Sequence, residues 1–261
     1  MQVDRNMELI PIHSERMNGK FKLIPQLSRM LKRAGIMLQN GDILAISGKF
    51  VAMSQGRFTK LSEIYTLKGA NEIAERYSIS PSLAELVARE ADYTLQGLKG
   101  FLLTVKNGAF SPNAGIDKSN IMKGYAILHP SEPSRVARMI RDWAFLEFSC
   151  LVGVVITDSR LQPLRMGTVG IAIGASGLPS VIDDRGRRDL FGNVMRVTRR
   201  AIADDIASAA QLLMGETDES VPLVVVRGSG INVSFDYDGL DVTIPPSHCI
   251  YVKGLSAMKI S

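Results

Sequence analysis

The chain has 261 residues with two cysteines, Cys150 and Cys249, and three histidines, which rules out a disulfide scaffold, a four-thiolate zinc site and a His-x-x-x-His zinc pair. Hydrophobic residues at 46% and charged residues at 22% exclude a disordered or coiled-coil chain. The net charge of +5, from 31 Lys and Arg against 26 Asp and Glu, is dispersed along the sequence without aromatic interleaving, which disfavours nucleic acid; a mildly positive field suits an anionic small-molecule substrate equally well.

No secretory or membrane address is legible at the start, where Asp4, Arg5 and Glu8 interrupt any apolar stretch, and Leu151 to Ile156 is far shorter than a membrane span. With so few cysteines, the expected setting is reducing and cytoplasmic.

Leu23, Leu27, Met30, Leu31 and Ala34 recur at helical spacing, and Asn40-Gly41 then turns the chain into a strand over Ile43 to Ser47. Asn71 to Tyr77 reads as a short helix, and Ser80-Pro81 supplies the cap and first turn of another through Leu83, Leu86 and Val87. Phe101 to Lys106 is β-prone, Ser111 to Asn120 is a polar loop, and Tyr125 to Leu128 resumes the extended pattern. Pro133 opens a helix with Val136, Met139, Ile140 and Trp143 in one stripe. Leu151 to Ile156 is a buried strand with Asp158 expected at its end, and Val169 to Ile173 is another. Thr198 is the expected cap of a helix lined by Ile202, Ile206, Ala209 and Leu213, with Gly215 as its left-handed stop. Leu223 to Val226 is strand-like, and hairpins are expected after Gly230. Strands and helices alternate without a repeat or linker, which predicts one mixed α/β domain of intertwined sheets with flanking helices, or two subdomains meeting near residue 130.

Neither a G-x-x-x-x-G-K-[ST] loop nor a strand-linked G-x-G-x-x-G is present, so nucleotide binding requires another scaffold than the P-loop or Rossmann fold. Asp117, Asp158 with Ser159, and Glu216 are hard oxygen donors in loops beside apolar elements, suited to Mg²⁺ or Mn²⁺, which take few carboxylates and fill their shell with phosphate and water. Each has a plain structural reading as well: turn residue, strand-end cap or solvated acid, and for Asn120 a loop residue bonding its own backbone. Arg165 and Arg227 lie by glycine-containing turns where a guanidinium grips carboxylate or phosphate, or forms a structural salt bridge. Lys49, after Gly48 at a strand end, meets a phosphate or stays a solvated edge lysine.

The blocks NAGIDKSN (113–120), ITDS with a later P-x-R-x-G (156–167), VGIAIGASGL (169–178), DDRGRRDLFG (183–192), AIADDIASAAQLLMGE (201–216) and VPLVVVRG (221–228) resemble, in this order, the coenzyme F420-0:γ-glutamyl ligases. The resemblance implies a scaffold unlike P-loop, Rossmann or ATP-grasp enzymes. It also implies a GTP- and divalent-metal-dependent ligase that forms a γ-glutamyl amide between L-glutamate and the carboxylate of F420-0, and of F420-1, through an acyl phosphate. It places the ligands of Mg²⁺ or Mn²⁺, as two ions, on Asp117, Asp158, Ser159 and Glu216. Nucleotide contacts fall on Ser47, Gly48, Lys49, Asn120, Met214, Gly215 and Glu216, with Arg165 and Lys49 as catalytic clamps, in a homodimer.

Two departures stand out. Where the family has a Ser-Lys-Ala-Glu-Gly run, this chain reads AMSQG with Met53 at the lysine position, and Arg160 to Arg165 replace a Gly-Arg-Pro-Trp-Arg type sequence. These departures motivate two alternatives: a paralogue using the same chemistry on another acid, and a nucleotide- and metal-binding protein without turnover.

Overall fold

The computed structural model describes residues 6–255, so Asp4 and Arg5 of the opening segment lie outside the described residues. In chain order the elements are β1 (Glu8–Ile12), α1 (Leu23–Ala34), β2 (Ile43–Ser47), α2 (Gly48–Gln55), β3 (Phe58–Lys60), α3 (Lys68–Tyr77), α4 (Pro81–Glu90), β4 (Tyr93–Leu98), β5 (Phe101–Lys106), β6 (Ala109–Pro112), β7 (Tyr125–Ile127) and α5 (Pro133–Phe148). They continue as β8 (Gly153–Leu161), β9 (Thr168–Ser176), β10 (Ile182–Asp183), β11 (Arg199–Arg200), α6 (Ile202–Met214), β12 (Leu223–Arg227) and α7 (Ile250–Leu255). No helix among the described residues is long and apolar enough to cross a membrane.

The central sheet has the order β1-β12-β2-β8-β9; β2 and β8 run parallel and the other neighbours antiparallel. Strand side chains alternate, and both faces of this sheet are apolar. Leu44, Ile46, Val154, Ile156, Leu223 and Val225 pack under α1 and α5, while Ile43, Ala45, Val155, Val224 and Val226 pack under α6. Two buried faces are why these strands read in the sequence as continuous apolar runs. Each fully buried Val, Leu or Ile contributes roughly 1.5–3 kcal/mol.

The bulge between β8 and β9 decides which helix each end of β9 meets. Thr157 pairs with Ala172 and Ile156 with Gly174, leaving Ile173 as the extra residue. Ala172 therefore faces α6, while Ile173 lies on the face of α5. On either side of the bulge a glycine lets a helix backbone touch the strand. A Cβ on Gly170 would lie 2.3 Å from the Ala207 carbonyl of α6, and one on Gly174 2.5 Å from the Pro133 carbonyl carbon of α5. The Asp204 carboxylate of α6 accepts the Ala172 N–H at 2.9 Å, securing the bulge from the same side.

The segment between β2 and α5 forms a second lobe. Its three-stranded sheet β4-β5-β6, the β3-β7 pair and helices α3 and α4 enclose Leu83, Leu86, Val87, Leu102, Ala114, Ile116 and Ala126. The Ser80 hydroxyl caps α4 by accepting the Leu83 N–H at 3.3 Å.

Several expectations are corrected. The apolar run at 151–156 belongs to a strand that continues to Leu161, so Asp158 lies within β8 and not at its end. Helix α6 begins after Ala201 and not at Thr198, because Arg199–Arg200 pair with β10 first. Gly215 stops α6 at φ 63°, ψ −169°, outside the left-handed helical region. On α5, Val136 and Ile140 are buried but Met139 faces solvent. After Gly230 the described residues form loops, a 3₁₀ turn at Pro246–His248 and α7, not hairpins.

Candidate active site

Parallel strands β2 and β8 end side by side, with Ser47 opposite Thr157, and the crevice beyond such strand ends is where α/β sheets take ligands. Helix α2 starts at once, at Gly48, so the unpaired N–H groups of its first turn open toward that crevice. The junction is tight: a Cβ on Gly48 would lie 2.9 Å from the Thr157 carbonyl and from Ile173 Cδ1. A cleft of about 550 Å³ opens here, lined by Ser47, Lys49, Asn120, Asp158, Ser159 and Glu216, with Met214 and Gly215 on the side of α6. A smaller pocket of about 330 Å³ adjoins it; the two share Lys49, Asp158 and Ser159, and the smaller adds Gly48, Asp117, His129 and Arg160.

Strand alternation divides the β8 side chains between these spaces. Thr157 and Ser159 face α6: the Thr157 hydroxyl lies 3.5 Å from Met214 Sδ, and the Ser159 hydroxyl 3.4 Å from Glu216 Oε2. The Glu216 carboxylate also accepts from Gln211 Nε2 at 2.5 Å and Thr168 Oγ1 at 3.2 Å. Asp158 and Arg160 face the other way and pair at 2.7 Å, with Arg160 4% exposed. Burial raises the Asp158 carboxyl above its ordinary range and outweighs the opposing pulls of Arg160, the Ser159 N–H and Lys49.

The polar loop brings in Asp117 through a bridge with Ile127. Lys49 Nζ lies 2.5 Å from Asp117 Oδ2 and donates to Ser119 Oγ at 2.9 Å, and the Ser119 N–H reaches Asp117 Oδ1 at 2.7 Å. Burial pushes the Asp117 carboxyl up, but Lys49 and Ser119 together hold it below its ordinary value.

Nearly all the expected site residues thus border one pair of joined pockets. Arg165 does not: it is exposed on the β8–β9 turn, between Leu164 and Met166, and lines neither pocket. Arg227 forms the structural salt bridge, with Nε and Nη2 on the buried Asp42 carboxylate at 2.9 and 2.8 Å. Met53 is mostly buried against Ala52 and Ile127 and lines the main cleft with an apolar side chain, while the cation beside Asp117 is Lys49. The sequence reading missed Arg160 and His129, because nothing local marks a strand arginine as buried or brings β7 and its following turn beneath it.

Among the described residues, no three His, Cys, Asp or Glu side chains are gathered as a metal cage. Asp117, Asp158, Ser159 and Glu216 border adjoining pockets, each carboxylate with its own protein partner. Their hard oxygens still fit Mg²⁺ or Mn²⁺, since such ions are held by one or two carboxylates and complete their octahedron with water and substrate phosphate.

His129 is 4% exposed, and its Nδ1 lies 3.1 Å from the Pro130 carbonyl. Burial first, then the Arg160 charge, lowers its pKa from 6.5 to about 4. The imidazole therefore stays neutral in the folded protein while the unfolded chain takes up a proton below pH 6.5, so stability falls as pH drops from 6.5 toward 4. At pH 5 the expected loss from this group is about 2 kcal/mol relative to pH 7.5. Urea unfolding at the two pH values measures it, and His129→Gln should remove that part of the difference.

Fold and site together define a mixed α/β protein with a polar cleft at the ends of the parallel strands β2 and β8, built without a glycine-rich phosphate loop. The family model described as F420-0:Gamma-glutamyl ligase matches residues 12–228, which takes in every element of the cleft. Relatives that bear the name coenzyme F420:L-glutamate ligase include the following. That of Methanopyrus kandleri is 42% identical over 192 residues, covering 73% of this chain and 76% of the relative. The one from Methanocaldococcus jannaschii is 37% identical over 195 residues, 74% of this chain and 78% of its own. The Methanosarcina mazei protein is 32% identical over 226 residues, 84% and 89% respectively. The chain belongs to the F420-0:gamma-glutamyl ligase family.

Proposed function

We propose that this chain ligates L-glutamate through its amine to the carboxylate of coenzyme F420-0, and then to that of F420-1, the second amide being γ-glutamyl, with GTP as the phosphoryl donor. The observation that carries the reading is the meeting of the α2 N-terminus and Lys49 with Asp117, Asp158, Ser159 and Glu216 around joined pockets, in a chain of this family. The names of its relatives supply the acid and the amine.

A carboxylate does not expel oxide when an amine attacks, so the acid must first be activated. One of its oxygens attacks the γ-phosphorus of GTP, GDP leaves, and an acyl phosphate forms. The glutamate amine then attacks the acyl carbon, inorganic phosphate leaves with that same oxygen, and the amine releases its proton. No protein nucleophile is required.

In this reading Ser47, Gly48 and the first turn of α2 orient the phosphates and Lys49 clamps them, while Asn120, Met214 and Gly215 border the rest of the nucleotide. Asp117 and Asp158, with Ser159 and Glu216, would hold Mg²⁺ or Mn²⁺, which when bound neutralises charge on the phosphate oxygens. A homodimer in the cytoplasm belongs to the same proposal.

Incubation of the protein with GTP, Mn²⁺ or Mg²⁺, L-glutamate and F420-0 is expected to give product heavier by one glutamyl unit and a matching amount of GDP. Nucleotide binding without product or GDP would instead support the reading without turnover, and GDP release with a different acid would support the paralogue.

A further inference from the structure

The smaller pocket holds an arginine whose hydrogen-bonding capacity is mostly unspent. Arg160 gives Nη2 to Asp158 at 2.7 Å, while its Nε and Nη1 are buried without a partner. The Ser111 hydroxyl is likewise buried and unpartnered. A Cβ placed on Gly115 would lie 3.3 Å from Ser111 Oγ, 3.4 Å from His129 Cδ2 and 3.5 Å from Arg160 Nη2. Gly115, His129 and Arg160 line the pocket, and Ser111 lies buried behind that wall. Buried donors without acceptors are costly, and the planar fork of a guanidinium matches a carboxylate.

We propose that this pocket, built on Arg160 with His129 beside it, receives a carboxylate of the amino-acid substrate. The inference rests on the ligase reading above and extends it to the amine's own seat. Volume favours the amino acid over the larger acid. The pocket has about 330 Å³ against about 550 Å³ in the main cleft, and Asp158, Ser159 and Lys49 stand at the boundary between them. An amino acid anchored on Arg160 has its amine within the space that opens toward the phosphates.

Arg160→Lys keeps a positive charge beside Asp158 but loses the fork. In the ligation assay it should raise the KM for L-glutamate about 10- to 100-fold, the range of a lost charge-assisted pair, with the KM values for GTP and F420-0 within about twofold of the parent. Calorimetric titration with L-glutamate alone should show the same weakening.

A glutamate KM and affinity unchanged in Arg160→Lys, with product still formed by the parent protein, overturns the pocket assignment and leaves the ligase reading intact. A rise confined to the KM for F420-0 overturns it in favour of the acid's carboxylate. A fall in kcat with every KM unchanged overturns it as well, since that is the mark of an arginine that merely positions Asp158. Glutamate binding that depends on Arg160 in a protein that forms no product supports the pocket and counts against the ligase reading.

Discussion

Asp158→Asn is expected to lower ligase turnover by about two to three orders of magnitude, the scale of removing one preorganised electrostatic group from a reacting centre. Asp158 borders both pockets, and in the proposed reaction its charge helps hold the cation that neutralises the phosphates. The same change strips Arg160 of its carboxylate at 2.7 Å and leaves a guanidinium that is 4% exposed without a counter-charge. Breaking a buried pair from one side costs about 3–5 kcal/mol, so the variant should also melt earlier. The two effects separate in the double variant Asp158→Asn with Arg160→Met. With neither charge left, most of the stability should return, because replacing both partners of a buried pair is often neutral, while turnover stays low. Steady-state kinetics at saturating L-glutamate, together with urea unfolding, of Asp158→Asn, Arg160→Met and the double variant measure both parts. Turnover of the double variant no lower than that of Arg160→Met alone would show that Asp158 acts only through folding.

The largest effect on folding is expected at Gly170. A Cβ there meets the Ala207 carbonyl oxygen at 2.3 Å and the Ser208 amide nitrogen at 2.8 Å, both backbone atoms of α6 that no rotamer change can move aside. Gly170→Val therefore forces α6 off the sheet and opens the face packed by Ile202, Ala203, Ile206, Ala207 and Ala210. The expected loss is about 3 kcal/mol or more, at the upper end for overpacking. Displacement of α6 also carries Met214 to Glu216 away from Ser159, so the variant should bind GTP more weakly in the proposed site even where it remains folded. Chemical denaturation gives the first quantity and nucleotide titration the second.

What the sequence disclosed and what it concealed divide along the range of the signals. Ile43–Ser47, Phe101–Lys106 and the Ser80-capped helix follow from local pattern, turn residues and caps, and the structure has them at those positions. The three acids and Lys49 were legible as hard donors and a cation flanking apolar strands. The true end of β8 was not, because its second half is a strand only through pairing with β9 beyond a bulge. Arg160 reads in sequence as part of the loop that follows Asp158; the structure places it within β8, packed by the turn after β7 that carries His129. Arg165 misled for the converse reason. Proximity to Gly167 suggested a binding turn, but the β8–β9 connection points into solvent.

In the proposed reaction the joined pockets activate a carboxylate as an acyl phosphate before the amine attacks. Supplying F420-0 with ¹⁸O in the reacting carboxylate, together with unlabelled GTP, L-glutamate and Mn²⁺, tests this most directly by mass analysis of the released phosphate. One ¹⁸O atom in inorganic phosphate is expected for each amide formed; amide product accompanied by unlabelled phosphate rules out the acyl phosphate.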